Sequence, residues 1–250
     1  MVVKVGSMLL DAEKTDLNNA AFIINSIELD RPYFSMEDFD GNRPKPPPYI
    51  RDSGMYFNAG DIAVKVASLK ITDGVFASFI RGEVPEKGLF DGSNIKVNKI
   101  TGTFKELSFI KDTIKAAIDL SAIERSGLEL KKLKADVRLT PQILEFANLD
   151  MRTPKSRLGD YYAMHFEDFN EDMKDFENKV TIDANIKNTE INSDDIAYFA
   201  PLLGTWNTSA NMSGRFYGKL DNFKVGNLFL RTSGNTYLSG NLTMKGLPDI

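Results

Sequence analysis

Apolar and polar residues alternate along most of the chain. Ile62, Val64 and Val66 share one parity, as do Leu69 with Ile71 and Ile95 with Val97. Ile114, Ala116, Ile118 and Leu120 repeat the habit. So do Leu133, Ala135, Val137 and Leu139, and then Val180, Ile182, Ala184 and Ile186. Successive side chains of a strand point to opposite faces, so period two predicts strands with one dry and one wet side, as in antiparallel sheets. The residues between are largely Lys, Asp, Asn and Thr. Buried parallel strands would read as continuous apolar runs, and no such run occurs. The pattern predicts a mainly β chain.

A weak repeat sharpens this. Ile100-Thr101-Gly102-Thr103-Phe104, Met212-Ser213-Gly214-Arg215-Phe216 and Leu238-Ser239-Gly240-Asn241-Leu242 share one template, with Ile71-Thr72-Asp73-Gly74-Val75-Phe76 a looser relative. Parity places Gly102, Gly214 and Gly240 on the apolar face. Glycine inside a strand marks a bend, a bulge or the close approach of another group. Either these are ordinary sheet-bend glycines, or they curl the sheet and leave room along its inner face.

Helical signals are few. Phe166, Phe169, Met173 and Phe176 fall at helical spacing among acids, which predicts an acidic amphipathic segment over 166–179 that packs or acts as a lid. An acidic face is repelled by anionic headgroups, so it does not read as a membrane anchor. Ser193 is placed to cap a short helix that stops near Pro201. Pro44, Pro46, Pro47 and Pro48 make 41–54 an extended loop between strand groups rather than a domain boundary, and a less favoured use is as a ligand for a partner. The whole of 1–250 reads as one continuous, repetitive β-rich section.

Composition then removes whole classes of function. Among 250 residues, 31 Lys and Arg face 35 Asp and Glu, for a net charge of −4. That balance lacks the basic face a nucleic acid requires, so no nucleic-acid partner is expected. No cysteine is present, which excludes disulfides, thiol nucleophiles and cysteine metal sites. His165, the single histidine, leaves little for a triad or a zinc site. It reads as structural, and Trp206 alone makes no sugar-stacking platform. No dinucleotide or phosphate-binding glycine loop occurs. The acidic run from Asp168 starts like a calcium loop, but Met173 stands where glycine is needed and Lys179 where the bidentate glutamate belongs. The pairs Glu37 with Asp38 and Asp194 with Asp195 read as solubility or helix-start acids rather than a glycosidase pair. Asp112-Thr113-Ile114 resembles a short bacterial O-glycosylation acceptor. The expectation is a non-enzyme with no catalytic residues, no cofactor and no metal.

The chain opens without a basic start and apolar core of a signal peptide, and no apolar run approaches the roughly 20 residues of a spanning helix. It is expected to be either cytoplasmic or, as favoured here, a section of a longer envelope protein.

The order of segments resembles a known family. Val180-Thr181-Ile182-Asp183-Ala184-Asn185-Ile186 precedes Asp195-Ile196-Ala197-Tyr198-Phe199-Ala200-Pro201. Then come Met212 to Gly218, Leu228-Phe229-Leu230-Arg231, Asn235 to Leu242 and Gly246-Leu247-Pro248-Asp249-Ile250. Phe22 to Leu29, Leu69 to Gly74 and Leu149 to Leu158 fit the same phrasing. This order is similar to that of the TamB-type translocation and assembly proteins, within the wider AsmA-like group, from about residue 20 onward. The resemblance implies a periplasmic body anchored in the inner membrane by a helix this chain lacks. It implies outer-membrane assembly machinery as a partner through parts also missing here. The body would be an elongated, taco-like curled antiparallel sheet with an open groove that carries phospholipids between membranes. The alternative is a closed β-sandwich, serving as a cell-surface or periplasmic binding or adhesion module. An enzyme such as a β-solenoid carbohydrate lyase would need clustered acids and bases on one face.

On the first reading, phospholipid acyl chains are the partner. The groove lining is expected to comprise Ile100, Phe104, Ile114, Ile118, Val137, Ile182, Ile186, Phe216, Leu238 and Leu242, with Gly102, Gly214 and Gly240 bending the sheet. On the second, the same residues pack against an opposing sheet or the Phe166–Phe176 stripe.

Overall fold

The computed structural model describes residues 1–38, 56–82 and 84–246, so the proline-rich stretch 41–54 lies outside it. The first strands are β1 (Val2–Lys4), β2 (Ser7–Asp16), β3 (Ala21–Asp30), β4 (Tyr33–Asp38), β5 (Ala63–Ile80) and β6 (Asn94–Ile110). Next come β7 (Thr113–Glu124), β8 (Glu129–Thr140), β9 (Ile143–Arg152) and β10 (Arg157–His165). The last are β11 (Thr181–Asn192), β12 (Ser209–Lys219), β13 (Asn222–Thr232) and β14 (Tyr237–Lys245). All belong to one 14-stranded sheet. From β5 to β14 each strand pairs antiparallel with the next, and the sheet does not close on itself.

The first third departs from simple antiparallel order. β3 and β4 run nearly end to end along the 18-residue β5 and both pair with it in parallel, β3 along Ala63–Thr72 and β4 along Val75–Ile80. Parallel pairing needs a long return connection, and β5 begins at Ala63, well after β4 ends at Asp38. β1 and β2 then add antiparallel to β4 and β3 and form one edge of the sheet. β14 is the other edge.

The closed sandwich does not form. It requires two sheets packed face to face, and every strand among the described residues lies in one. The chain exposes 15470 Å², against about 11,000 Å² for a compact protein of its 27.9 kDa.

The sheet is nevertheless curled. Phe57, just before β5, packs its ring on Phe169, just after β10, at 5.9 Å. Because the Asp112 carboxylate holds Phe57 at the β6–β7 turn, a flat sheet with about 4.8 Å per strand would place it about 17 Å from β10. At the opposite strand ends, the Phe90 N–H between β5 and β6 donates to the Tyr198 carbonyl between β11 and β12 at 2.8 Å. Bulges produce the bend, because each adds local twist. Asp73, Lys99, Glu106, Asn148, Asp160, Asn188 and Asn227 all have positive φ and sit at or beside register shifts in successive ladders.

The acidic segment forms broken turns rather than one helix. It consists of α1 (Phe169–Asp172), a 3-10 turn (Met173–Asp175) and α2 (Phe176–Lys179). Its acids satisfy the backbone: Asp172 Oδ2 accepts the N–H groups of Glu167 and Asp168, and Asp168 Oδ1 accepts that of Glu171. Ser193 is the first residue of α3 (Ser193–Ile196) rather than its cap. Asn192 caps instead, its side chain accepting the Asp194 N–H at 2.9 Å. Asp112 likewise has a structural role, since its carboxylate gathers the N–H groups of Tyr56, Phe57 and Asn58.

Candidate functional site

Register places the apolar residues in rows that cross the sheet. Val64, Phe109, Ile114, Leu139, Leu144, Met164 and Ile182 stand opposite one another from β5 to β11. Ala116, Val137, Phe146, Tyr162, Ala184, Phe216, Val225 and Leu242 make a second row from β7 to β14. Leu69, Phe104, Ile118 and Ala135 make a third, and Ile71, Gly102, Leu120, Leu133, Met151 and Leu158 a fourth. Ile100 lies beside this row opposite Gly74. Ile186 meets Gly214, and Leu238 meets Leu230. Every residue expected to line a groove therefore falls on one face. Thr103, Lys115, Asp183, Tyr217 and Thr243 lie on the other.

Burial along this face is graded. Ile118 and Ile182 are buried, Phe104, Ile114, Val137, Ile186, Phe216 and Leu242 are half-buried, and Leu238 is 49% exposed. Among the described residues no second sheet covers Ile118, yet it is buried with Ala116, Ala135 and Leu149 among Phe104, Leu107, Leu120 and Tyr162. Mutual screening of this kind is what the concave side of a curled sheet provides. Burial also pushes the Tyr162 phenol up to about 12.

The glycines differ in what they do. A β-carbon on Gly102 would lie 2.3 Å from the Asp119 carbonyl oxygen, so Gly102 permits close approach of β6 to β7. Gly214, at φ +155, sits in the register shift between β12 and β13. Gly240 meets nothing within 4 Å, and its φ of +143 marks an open position on the edge strand.

The opposite face is a lattice of ion pairs. Lys132, Arg152 and Arg157, from three strands, converge on Asp150, whose carboxyl the Arg152 guanidinium and then Lys132 hold down at about 2. Arg138 pairs with Glu145 at 2.7 Å, and Tyr161 donates its hydroxyl to the same carboxylate. Arg138 leads the lowering of the Glu145 pKa. One face is thus built for water and the other against it.

Two straps cross the strand ends. At one, Phe166 donates its N–H to the Gln142 carbonyl, and Phe169 bridges Phe166 and Phe57. At the other, Phe90 meets Phe199 at 5.1 Å. The acids considered for catalysis act as fasteners here. Asp195 accepts the hydroxyls of Thr153 and Ser156, and Asp194 pairs with Lys155. No cluster able to hold a metal ion occurs among the described residues.

Sequence reasoning missed part of the face. Met8 and Leu10 of β2 stand opposite Leu29 and Ile27 and extend it to the first edge. The exposed Leu9 between them hid the alternation. Phe223 and Met244 also belong, in β13 and β14.

Comparison with protein-family models, curated proteins and solved structures finds no match for this chain.

Proposed function

We propose that this chain shields hydrocarbon, and that it is a section of a bridge along which phospholipid acyl chains cross water between two membranes. The observation that carries this reading is an apolar face running from β2 to β14 on an open sheet with no opposing layer of strands among the described residues. Moving a lipid through water is limited by exposing its tails. At about 0.8 kcal/mol per methylene, two long chains cost on the order of 20 to 30 kcal/mol. A concave sheet lowers that cost along its length while headgroups stay wet. Its residues act collectively, each row offering hydrocarbon a similar surface, and no group performs catalysis or holds a cofactor. On the TamB-type resemblance, the parent protein would be periplasmic and anchored in the inner membrane. It would work with outer-membrane assembly machinery through parts beyond this chain.

The test is organic extraction of the purified chain followed by mass spectrometry. Phospholipid near one or more equivalents per chain is expected. A lipid-free protein that also takes up none from vesicles would overturn the reading.

A further inference from the structure

The connection between β11 and β12 is held firmly at its base and at its crossing with the neighbouring loop. Thr153 and Ser156 both donate to Asp195 Oδ2 at 2.5 Å. The Phe90 N–H and ring hold Tyr198 and Phe199. Arg125 in turn fixes the loop that carries Phe90, donating to the carbonyls of Glu86, Leu89 and Asn94. Despite this anchoring, the loop turns its largest apolar side chains outward. Phe199 is 58% exposed, Leu202 82% and Trp206 66%. From Ile196 to Gly214 there is no charged side chain, in a chain whose charged fraction is 26%.

Fixed, uncharged and apolar is an unusual state for a solvent-facing loop, and its chemistry selects a partner. A protein groove would favour a strand edge or a continuous helix face, whereas this is a projecting turn. Its backbone is largely satisfied internally, with the Leu203 N–H on the Ala200 carbonyl, the Trp206 N–H on the Leu203 carbonyl and the Thr205 hydroxyl on the Leu202 carbonyl. Internal satisfaction is what entry into an apolar medium demands. Tryptophan beside leucine and phenylalanine is the side-chain set that settles at a membrane–water interface. The loop also leaves the end of β11, whose Ile182, Ala184 and Ile186 belong to the apolar face.

We infer that the Phe199–Leu202–Trp206 loop inserts into the interfacial layer of a lipid bilayer and seats this end of the sheet on a membrane. The contact goes beyond the shielding of lipid by the concave face, because it stands whether or not that face holds a lipid. The two can therefore fail separately.

Trp206 is the only tryptophan, so its fluorescence reports this loop alone. Phosphatidylcholine vesicles should shift its emission to the blue, and lipids brominated on their acyl chains should quench it. Leu202→Asp, at a position too exposed to affect folding, should weaken vesicle partition at least 10-fold with an unchanged circular dichroism spectrum. Leu9→Asp, at another well-exposed leucine on β2, should partition as the unaltered chain does. Unmoved emission at excess lipid, as a protein-docking loop would give, overturns the inference. So does undiminished binding by Leu202→Asp, or equal weakening by Leu9→Asp.

Discussion

Gly102 faces Leu120 across the β6–β7 ladder so closely that a β-carbon on Gly102 would lie 2.5 Å from the Leu120 Cα. Backbone atoms cannot swing aside as a side-chain tip can. Gly102→Ala should therefore cost about 2 to 3 kcal/mol, the scale of overpacking in a fixed structure. Gly240→Ala meets no atom and should cost only backbone strain of about 1 kcal/mol. Urea unfolding of both variants checks this, and equal losses would remove close approach as the reason for Gly102.

Asp150 offers a pH signature. Its carboxyl sits at about 2 in the folded chain instead of the ordinary 3.8, because Arg152 and then Lys132 stabilise the charged form more than partial burial opposes it. A folded value below the unfolded one stabilises the fold above about pH 4, and that contribution is lost as pH falls through the folded value. The side chain is 20% exposed, so solvent screening reduces the contribution to about 1 to 2 kcal/mol. Asp150→Asn should lose that much at pH 7. The gap from the unaltered chain should narrow between pH 4 and pH 2 in urea titrations, and a constant gap would show that the ion lattice is not its source.

Much of the face was legible because parity is a local property. Ile114, Ala116, Ile118 and Leu120 alternate in sequence and therefore share a side in any strand that contains them. Curvature was less legible. It arises at Lys99, Glu106 and Asn148 as well as at glycine, and nothing in a lysine or glutamate announces a left-handed backbone. The parallel pairing of β3 and β4 with β5 was hidden too, since it depends on where a return connection places two strands rather than on their own pattern. Helical spacing from Phe166 to Phe176 marked the helical turns of 169–179 but not their break into short pieces, because carboxylates such as Asp172 serve the backbone of tight turns as readily as they decorate a helix.

Ile182 and Asp183 should respond oppositely to charge, although they are neighbours in the chain. Ile182 is 7% exposed between Met164 and Gly218, with no cation opposite it. Ile182→Asp should destabilise by about 3 to 5 kcal/mol, the cost of a buried charge without a partner. Asp183 pairs with the well-exposed Arg215 at 3.3 Å, and Asp183→Asn should cost under about 1 kcal/mol. Thermal or urea midpoints of the two variants decide the matter. A mild Ile182→Asp would mean that water reaches deep into the concavity.

The choice between a lipid-bearing face and a merely screened one can be made by parity at accessible positions. Phe216 and Leu242 lie on the apolar side, half-buried, next to Tyr217 and Thr243 on the wet side. Photo-crosslinkers at 104, 216 and 242 should capture phospholipid, while those at 103, 217 and 243 should capture at least 10-fold less. Leu242→Asp, on the edge strand where a charge can still reach water, should keep the fold and lose most captured lipid. Thr243→Asp should lose none. Adjacent positions share local mobility, sequence context and distance from either end, so only the side on which they project separates the members of each pair. Equal capture by both sets would place lipid on the surface at large and leave the concave face without an occupant.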